Sequence, residues 1–292
     1  MIYRLRHLTT YRYETPVTFA RCVLRLSPRD DAEQSVSESH LSITPRPART
    51  REHIGPFGER VLTATIETPH RELKIEARSR VSVRRNAPGE PLGGTAWESV
   101  RTAAVAATSL EAASPVHFLY PTPMTPISSA ITNYGRQCFS SGRPIVEAAY
   151  ALACQIRYDF EYDPKSTDIS TPAIEAFEAR RGVCQDFAHV MIAALRGLGL
   201  PAAYVSGYLR TIPPPGRPRL EGADATHAWV AAWCGETPGW IGFDPTNALV
   251  VADDHIVLAA GRDYADVAPI DGVILGSGRQ NLKVAVDVVP VD

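Results

Sequence analysis

The sequence predicts an α+β fold, an N-terminal antiparallel β-sandwich followed by helices packed on a second antiparallel sheet. Three observations lead to this prediction. Short alternating segments fill residues 1–85, helical periodicity follows a stretch rich in proline and glycine at 86–95, and strand-like runs return from residue 203 onwards. Strands, then helices, then further strands are typical of an α+β chain.

Composition limits the classes of protein to consider. The 292 residues are 45% hydrophobic, which is enough to furnish the cores of about two domains. The formal net charge is only −2, and the basic runs are short. Neither nucleic acid nor a membrane is therefore expected as a partner. The sequence leaves the oligomeric state open.

Residues 1–88 are predicted to form a β-rich N-terminal domain. Apolar and polar residues alternate in five segments, at 2–6, 18–26, 39–43, 61–66 and 73–83. Proline and glycine separate these segments, as in the Gly55-Pro56-Phe57-Gly58 turn. Short strands at near-regular spacing favour a small antiparallel sandwich.

Residues 89–292 are predicted to form a second, catalytic domain after a linker at 86–95. Apolar spacing predicts helices over 144–158, from Thr171-Pro172 to Arg181, and from Cys184 to Gly199. Strands of a following sheet are expected at 203–209, 228–233, 240–243 and 282–289, with a loop at Pro213-Pro214-Pro215-Gly216.

The cysteines indicate a reducing compartment. Their number is odd, no CxxC pair is present, and they are widely spaced, at positions 22, 138, 154, 184 and 234. Charged residues interrupt the N-terminal stretch MIYRLRHLTTYRYE, so no signal peptide is expected, and no run of about 18 apolar residues predicts a membrane helix. We therefore expect a cytoplasmic protein.

Cys184 is the first candidate for a chemical role. It stands between a glycine turn and a strongly apolar helix, in RRGVCQDFAHVMIAALRGLGL. A thiol at a helix start lies at the positive end of the backbone dipole, which favours the thiolate and hence a nucleophile. The alternative is that Cys184 is a small buried hydrophobic residue.

A nucleophilic thiol requires a base and a group that orients the base. His227 in ATHAWVAAW begins one predicted strand, and Asp244 in GWIGFDPTN ends the next. If these strands are antiparallel neighbours, the two side chains meet at one end of the sheet. Cys184, His227 and Asp244 would then form a catalytic triad.

Other interpretations of these residues remain open at this point. His189 lies on the same helix as Cys184, but five residues of rotation point its ring about 140° away, so packing is its expected role. Cys184, His227 and Asp244 could instead hold zinc, although a typical zinc site has more closely spaced ligand pairs. No metal site is expected.

Four motifs together resemble the bacterial transglutaminase-like cysteine protease family. These are GVCQDFAH, LRGLGLPAAYVSGYL, GADATHAW and GWIGFDPTN, with Cys184, His227 and Asp244 at the positions of the family triad. The segments TTYRYETPV and SPRD are similar to the β-rich N-terminal domain of that family, and GRDYADVAPIDGVILG is similar to its C-terminal segment. The resemblance covers nearly the whole chain and implies a papain-like, transglutaminase-like core.

The resemblance implies a thiol-dependent hydrolase that needs no cofactor and acts on a peptide or protein substrate. Cys184 would attack an amide or isopeptide carbonyl, and a thioester acyl-enzyme would form. Transfer of the acyl group to an amine, as in a transglutaminase, is one alternative. A catalytically idle module that only binds peptides is another.

Five further residues are expected to support this site. Tyr162 is a candidate second donor to the oxyanion, and Gln185 is a candidate hydrogen-bond partner near the thiol. Asp186 falls in the first helical turn, where a carboxylate suits the dipole. Trp229 is expected to exclude water from the site, and Asn247 to shape the turn after Asp244.

Overall fold

The computed structural model describes residues 1–85, 93–211 and 224–291 of the chain. Most of the predicted linker at 86–95 and the whole predicted loop at 213–216 therefore lie outside the described residues. Within the described residues, no helix combines the length and the apolar character needed to cross a membrane.

Six strands form the bulk of an N-terminal β-sandwich, as predicted. Their bounds are Ile2–Val17 (β1), Phe19–Leu24 (β2), Gln34–Thr44 (β3), Arg49–Ile54 (β4), Arg60–Ile66 (β5) and His70–Val83 (β6). Alternate residues of β6 are buried, which is the two-residue period of a half-buried strand. A core between the sheets contains Val17, Leu24, Ile66 and Ile75.

The second part of the chain packs helices against a five-stranded sheet. The helices are Trp97–Ala106 (α1), Ser129–Arg136 (α2), Ile145–Asp159 (α3), Ala173–Ala179 (α4), Cys184–Gly197 (α5) and Tyr264–Val267 (α6). The strands are Glu161–Tyr162 (β7), Arg181–Gly182 (β8), Ala202–Leu209 (β9), Ala225–Trp233 (β10), Trp240–Asp244 (β11), Leu249–Val250 (β12) and His255–Gly261 (β13). The sheet order is β12-β11-β10-β9-β13, and each pair is antiparallel.

The last two strands, Ile270–Leu275 (β14) and Gln280–Val291 (β15), join the sheets of the N-terminal sandwich. Their sheets run β15-β1-β6-β3 and β14-β2-β5-β4. The sequence-based division at residues 88 and 89 placed the strand at 282–289 with the second domain. It lies instead along β1, with Leu5 opposite Val288, because alternation along a strand does not reveal its partner.

Helix α5 is the centre of the second part. All of its residues from Gln185 to Arg196 are buried, because it is covered by the sheet on one side and by neighbouring helices on the others. A helix that is apolar nearly all round requires such an environment. The helix therefore has one fixed position, and Cys184 is fixed at its first turn.

The sandwich is joined to the core sheet along β9 and β13. An apolar cluster shared by the two parts contains Tyr3, Val81, Tyr208, Ile256 and Val286. Gln34 is buried and exchanges two hydrogen bonds with the backbone of Val257, one in each direction. These contacts tie the position of β13 to the first domain.

Arg196 is the main polar link between α5 and the surrounding loops. Its guanidinium is buried and donates to the carbonyl oxygens of Phe118, Ala202 and Arg262 and to Thr125 Oγ1. Burial lowers its pKa to about 10. The side chain remains a cation at neutral pH and satisfies four acceptors, three of them buried.

Replacing Arg196 with Leu should lower the free energy of unfolding by about 3 kcal/mol, because four acceptors, three of them buried, lose a charged donor. Denaturant unfolding of the variant checks this value. The control is Arg136→Leu on the exposed end of α2, which should change stability by less than about 0.5 kcal/mol. Equal stabilities for both variants would contradict this role of Arg196.

Candidate active site

The start of α5 is fastened by a carboxylate. Asp186 is buried, and its Oδ2 accepts hydrogen bonds from the backbone N–H of Val183 at 2.7 Å and from Thr167 Oγ1 at 2.6 Å. The first of these caps an N–H group that has no partner within the helix. The predicted role of Asp186 in helix stabilisation agrees with these contacts.

Gly182 is required by the close approach of Asp186. A Cβ atom at this position would lie 2.5 Å from Asp186 Oδ2 and 2.6 Å from Asp186 Cβ. Real Cβ atoms do not tolerate such distances, so any side chain here would push Asp186 away. The glycine before the nucleophile thus allows the cap that fixes Cys184.

His227 and Asp244 meet between two antiparallel strands. Val230 of β10 lies opposite Phe243 of β11, so His227 and Asp244 face each other diagonally rather than directly. His227 Nε2 lies 2.8 Å from Asp244 Oδ2, and both side chains are buried. This hydrogen bond leaves the other ring nitrogen, Nδ1, for a further partner.

The Cys184 thiol interacts with the His227 ring, since it contributes to the raised pKa of the imidazole. Cys184 itself is only partly buried. The structure therefore brings the three predicted triad residues into one chain of contacts, from Cys184 through His227 to Asp244. The thiol side of this chain is the part that a substrate can reach.

Asp244 is held as a buried carboxylate by five donors. Oδ1 accepts the backbone N–H groups of Thr246 and Asn247, and Oδ2 accepts from His227, His255 and Asn247 Nδ2. Burial opposes ionisation, but the hydrogen bonds from His227 and His255 hold the pKa of Asp244 well below its usual range. The carboxylate is therefore charged at neutral pH.

The charge of Asp244 determines the state of His227. Burial opposes protonation of the ring, whereas the hydrogen bonds to Asp244 and Cys184 and their negative charges raise the pKa of His227 to about 10. At neutral pH the ring is thus an imidazolium between a carboxylate and a sulfur atom. A cationic ring in this position can donate a proton beside the Cys184 sulfur.

Tyr162 and Gln185 lie beside the nucleophile in different ways. Tyr162 is half exposed, burial together with the charges of Cys184 and Asp186 raises its pKa, and its ring packs edge-on against Phe187 of α5 at 6.3 Å. Gln185 is buried and donates to the carbonyl oxygen of Ile169 at 3.0 Å. Its amide thus holds the loop around Ile169 against the start of α5.

Trp229 and Asn247 border the histidine ring and the carboxylate. The Trp229 ring is fully buried and lies 6.2 Å from the His227 ring, so it shields that side from water. Asn247 donates its backbone N–H to Asp244 Oδ1 and its side-chain Nδ2 to Oδ2, at 3.2 and 2.7 Å. It thereby closes the turn after Asp244, and it also orients the carboxylate.

His189 points away from the thiol, as its position on α5 predicts. Its Nε2 accepts the backbone N–H of Tyr264, and its ring lies 4.9 Å from the ring of Tyr204. Burial lowers its pKa to about 3, so the ring is neutral. His189 therefore has a packing role.

His255 was not identified from the sequence, although its ring touches the same carboxylate. It begins β13, and its Nε2 lies 3.2 Å from Asp244 Oδ2. The segment DDHIVLAAG reads as an ordinary strand, and nothing local marks its first residue as part of a site. Only the alignment of β13 with the end of the core sheet brings it there.

The donor atoms of His227, Asp244 and His255 all lie within 4.8 Å of one another, a spacing that would also admit a metal ion. Direct hydrogen bonds of 2.8 and 3.2 Å already join them. This set differs from the Cys184, His227 and Asp244 zinc alternative considered from the sequence, because His255 takes the place of the thiol.

Comparison with known proteins identifies the family. Residues 3–82 match the family model of the bacterial transglutaminase-like N-terminal region, and residues 132–245 match that of the transglutaminase-like superfamily. An uncharacterized protein of Mycobacterium tuberculosis is 40% identical over 297 residues, which covers 99% of this chain and 93% of that protein. The chain belongs to the transglutaminase-like superfamily and carries the bacterial N-terminal region.

Two further relatives differ in how much they share. A crystal structure of a proposed cysteine protease from Cytophaga hutchinsonii has a TM-score of 0.77 at 23% identity, with 100% of this chain and 92% of the other covered. It shares the fold, which confirms the predicted α+β architecture. A protein-glutamine gamma-glutamyltransferase of Pseudomonas aeruginosa is 32% identical over 134 residues, 41% of this chain and 20% of that protein.

Gly182→Ala should misplace the nucleophile. The added Cβ displaces Asp186 and releases the cap at Val183, so alkylation of Cys184 by iodoacetamide should slow at least about tenfold, and stability should fall by about 2 kcal/mol. Rate measurements with peptide mapping test this. Gly142→Ala is the control. Its added Cβ would meet no atom within 4 Å, so this variant tests only the cost of a side chain at a left-handed φ of +75°. It should cost about 1 kcal/mol without changing the alkylation rate.

Asp244→Asn should reduce alkylation of Cys184 about tenfold or more at pH 6 and much less at pH 9. The raised pKa of His227 means that the wild-type ring is charged throughout the range below about 10. The asparagine removes the negative charge that keeps His227 protonated, so less thiolate forms at pH 6. At pH 9 the solution itself ionises the thiol, and the difference from the wild type becomes small. Exposed Asp271→Asn on β14 is the control. Identical pH profiles for Asp244→Asn and the wild type would contradict the assignment.

Proposed function

We propose that the protein is a thiol-dependent hydrolase of peptide, isopeptide or related amide bonds. The observation that carries this proposal is the hydrogen bond of 2.8 Å between His227 and the buried carboxylate of Asp244, with the partly exposed Cys184 interacting with the same ring. A protein that only binds peptides has no need for a buried imidazolium and carboxylate beside a partly exposed thiol. The arrangement suits acyl transfer.

The reaction begins with attack of the Cys184 sulfur on the substrate carbonyl carbon. The backbone N–H of Cys184 lies in the first turn of α5, where such groups lack a partner within the helix. It is therefore available to donate to the oxyanion, and Tyr162 is the second donor in this proposal. The half-exposed phenol of Tyr162 permits such a contact.

Collapse of the tetrahedral intermediate breaks the bond between carbon and nitrogen. The His227 imidazolium gives its proton to the departing amine, and a thioester remains on Cys184. Water then attacks the thioester while the now neutral ring accepts its proton. Breaking of the bond between carbon and sulfur releases the acid and restores the thiolate–imidazolium pair. Asp244 stays ionised throughout and holds the ring in place.

If an amine attacks the thioester in place of water, the acyl group is transferred to the amine, and the enzyme acts as a transglutaminase. The relative in Pseudomonas aeruginosa, a protein-glutamine gamma-glutamyltransferase, supports this second candidate. The thioester is common to both reactions, so the two differ only in which nucleophile reaches the site. The acceptor must therefore be determined by product analysis.

The test incubates the protein with glutamine-containing peptides, with and without a primary amine, and measures released ammonia and product mass. Wild type and Cys154→Ala, which changes the other partly buried thiol, should turn over equally, and Cys184→Ala should be at least about 1,000-fold slower. Glutamate products without amine incorporation would support hydrolysis. Amine incorporation would establish transfer instead.

Two results would overturn the proposal. Saturable peptide binding without turnover or a covalent adduct on Cys184 would identify a catalytically idle peptide-binding module. Stoichiometric zinc in the purified protein, with unfolding on chelation, would identify a metal-supported structural site. Isopeptide-linked peptides extend the same assay to the other amide bonds in the proposal.

A further inference from the structure

His255 shares a carboxylate oxygen with the proposed catalytic histidine. Its Nε2 lies 3.2 Å from Asp244 Oδ2, and His227 Nε2 lies 2.8 Å from the same atom. Both rings are buried, and His255 is only 2% exposed. Two imidazoles therefore compete for one oxygen of one carboxylate.

The surroundings of the His255 ring indicate which form it takes. Nδ1 is buried and has no hydrogen-bond partner within the described part of the chain. Because Nε2 faces a carboxylate oxygen, the proton must be on Nε2, and a neutral ring then leaves only a bare lone pair at Nδ1. An imidazolium would have to bury an unpaired N–H, which is more costly.

The N-terminal sandwich holds His255 in place. Arg85 Nη1 donates to the carbonyl oxygen of His255 at 3.0 Å, and the backbone N–H of His255 donates to Ala252. Two residues further along β13, Val257 exchanges its two hydrogen bonds with Gln34. The Trp229 ring packs edge-on against the imidazole at 5.1 Å.

We propose that His255 is a positioning residue, whose neutral ring donates a fixed hydrogen bond that holds the Asp244 carboxylate turned toward His227. The N-terminal sandwich, through Arg85 and Gln34, sets the position of that donor. This inference rests on the proposed function, because it assigns His255 a role in orienting the triad. His255 does not itself touch the reacting sulfur.

The charges around His255 keep it neutral while His227 is charged. Burial lowers the pKa of His255, the carboxylate of Asp244 opposes that shift, and the positive charges of His227 and Arg85 add to it. The single positive charge of the cluster therefore resides on His227, next to the thiol.

The experiment compares three variants by the pH dependence of Cys184 alkylation with iodoacetamide. His255→Gln keeps an amide donor at the position of Nε2, His255→Asn has the same amide on a shorter side chain, and His255→Leu removes the donor. His7→Leu is the matched control, since His7 is likewise a buried histidine. Its two ring nitrogens are bonded to Tyr208 and Thr9. Thermal unfolding of each variant confirms that it is folded.

In His255→Leu and His255→Asn, the acid limb of the alkylation profile should move to higher pH by about one unit, and the rate at pH 6 should fall about tenfold. A carboxylate with one donor fewer is free to turn away from His227, so the ring loses part of the interaction that keeps it charged beside the sulfur. His255→Gln should follow the wild type, and His7→Leu should lose stability without a shift of the limb. With a substrate in hand, kcat should fall in the Leu variant with little change in KM.

Two outcomes would overturn the role of His255. One is a wild-type profile in His255→Leu and His255→Asn. The other is an equal shift in Gln, Asn and Leu variants, which would indicate packing rather than donation. Failure of the proposed function is distinguishable, because wild-type Cys184 would then label no faster at pH 6 than Cys154, before any variant of His255 is considered.

Discussion

A carboxylate buried away from water sets the arrangement of the site. Asp244 has no exposed surface and is nevertheless ionised, which is possible only because donors converge on it from three separate segments. Strand β10 contributes His227, the turn after β11 contributes Thr246 and Asn247, and β13 contributes His255. If one of these segments shifts, the charge loses a partner. The register of the core sheet and the electrostatics of the site are therefore a single constraint.

The residues that the sequence identified are those with a strong local signal. Gly182 lies two residues before Cys184, and a long apolar run follows. This pattern marks a buried helix with a thiol at its start. The hairpin between His227 and Asp244 is short enough to make their strands neighbours. His255 has no such signal, because its contact with Asp244 depends on where β13 lies in the sheet. The diagonal offset of His227 and Asp244 likewise depends on register, which turn length alone does not give.

The sandwich shows the same limit. Strand β4 was not predicted, because all six of its residues from Arg49 to Ile54 are exposed and leave no alternation to detect. Strand β15 alternates in its second half and β14 does not alternate, and their partners are β1 and β2, more than 200 residues away in the sequence. Alternating segments gave the expectation of a sandwich, and the family resemblance added that of a papain-like core. How the two interlock depended on long-range pairing.

The return of β14 and β15 to the sandwich also determines the order in which the protein can be assembled. During synthesis, β1 and β2 emerge first, but each sheet lacks an edge strand until the whole catalytic core has been translated. Unpaired edges of this kind are open to pairing with other chains. The nascent sandwich therefore has to avoid pairing its edge strands with other chains while more than 180 further residues are translated. The first domain can therefore be completed only after the core has been translated, and its completed sheets then pack on the core through Gln34 of β3 and through Arg85, which follows β6.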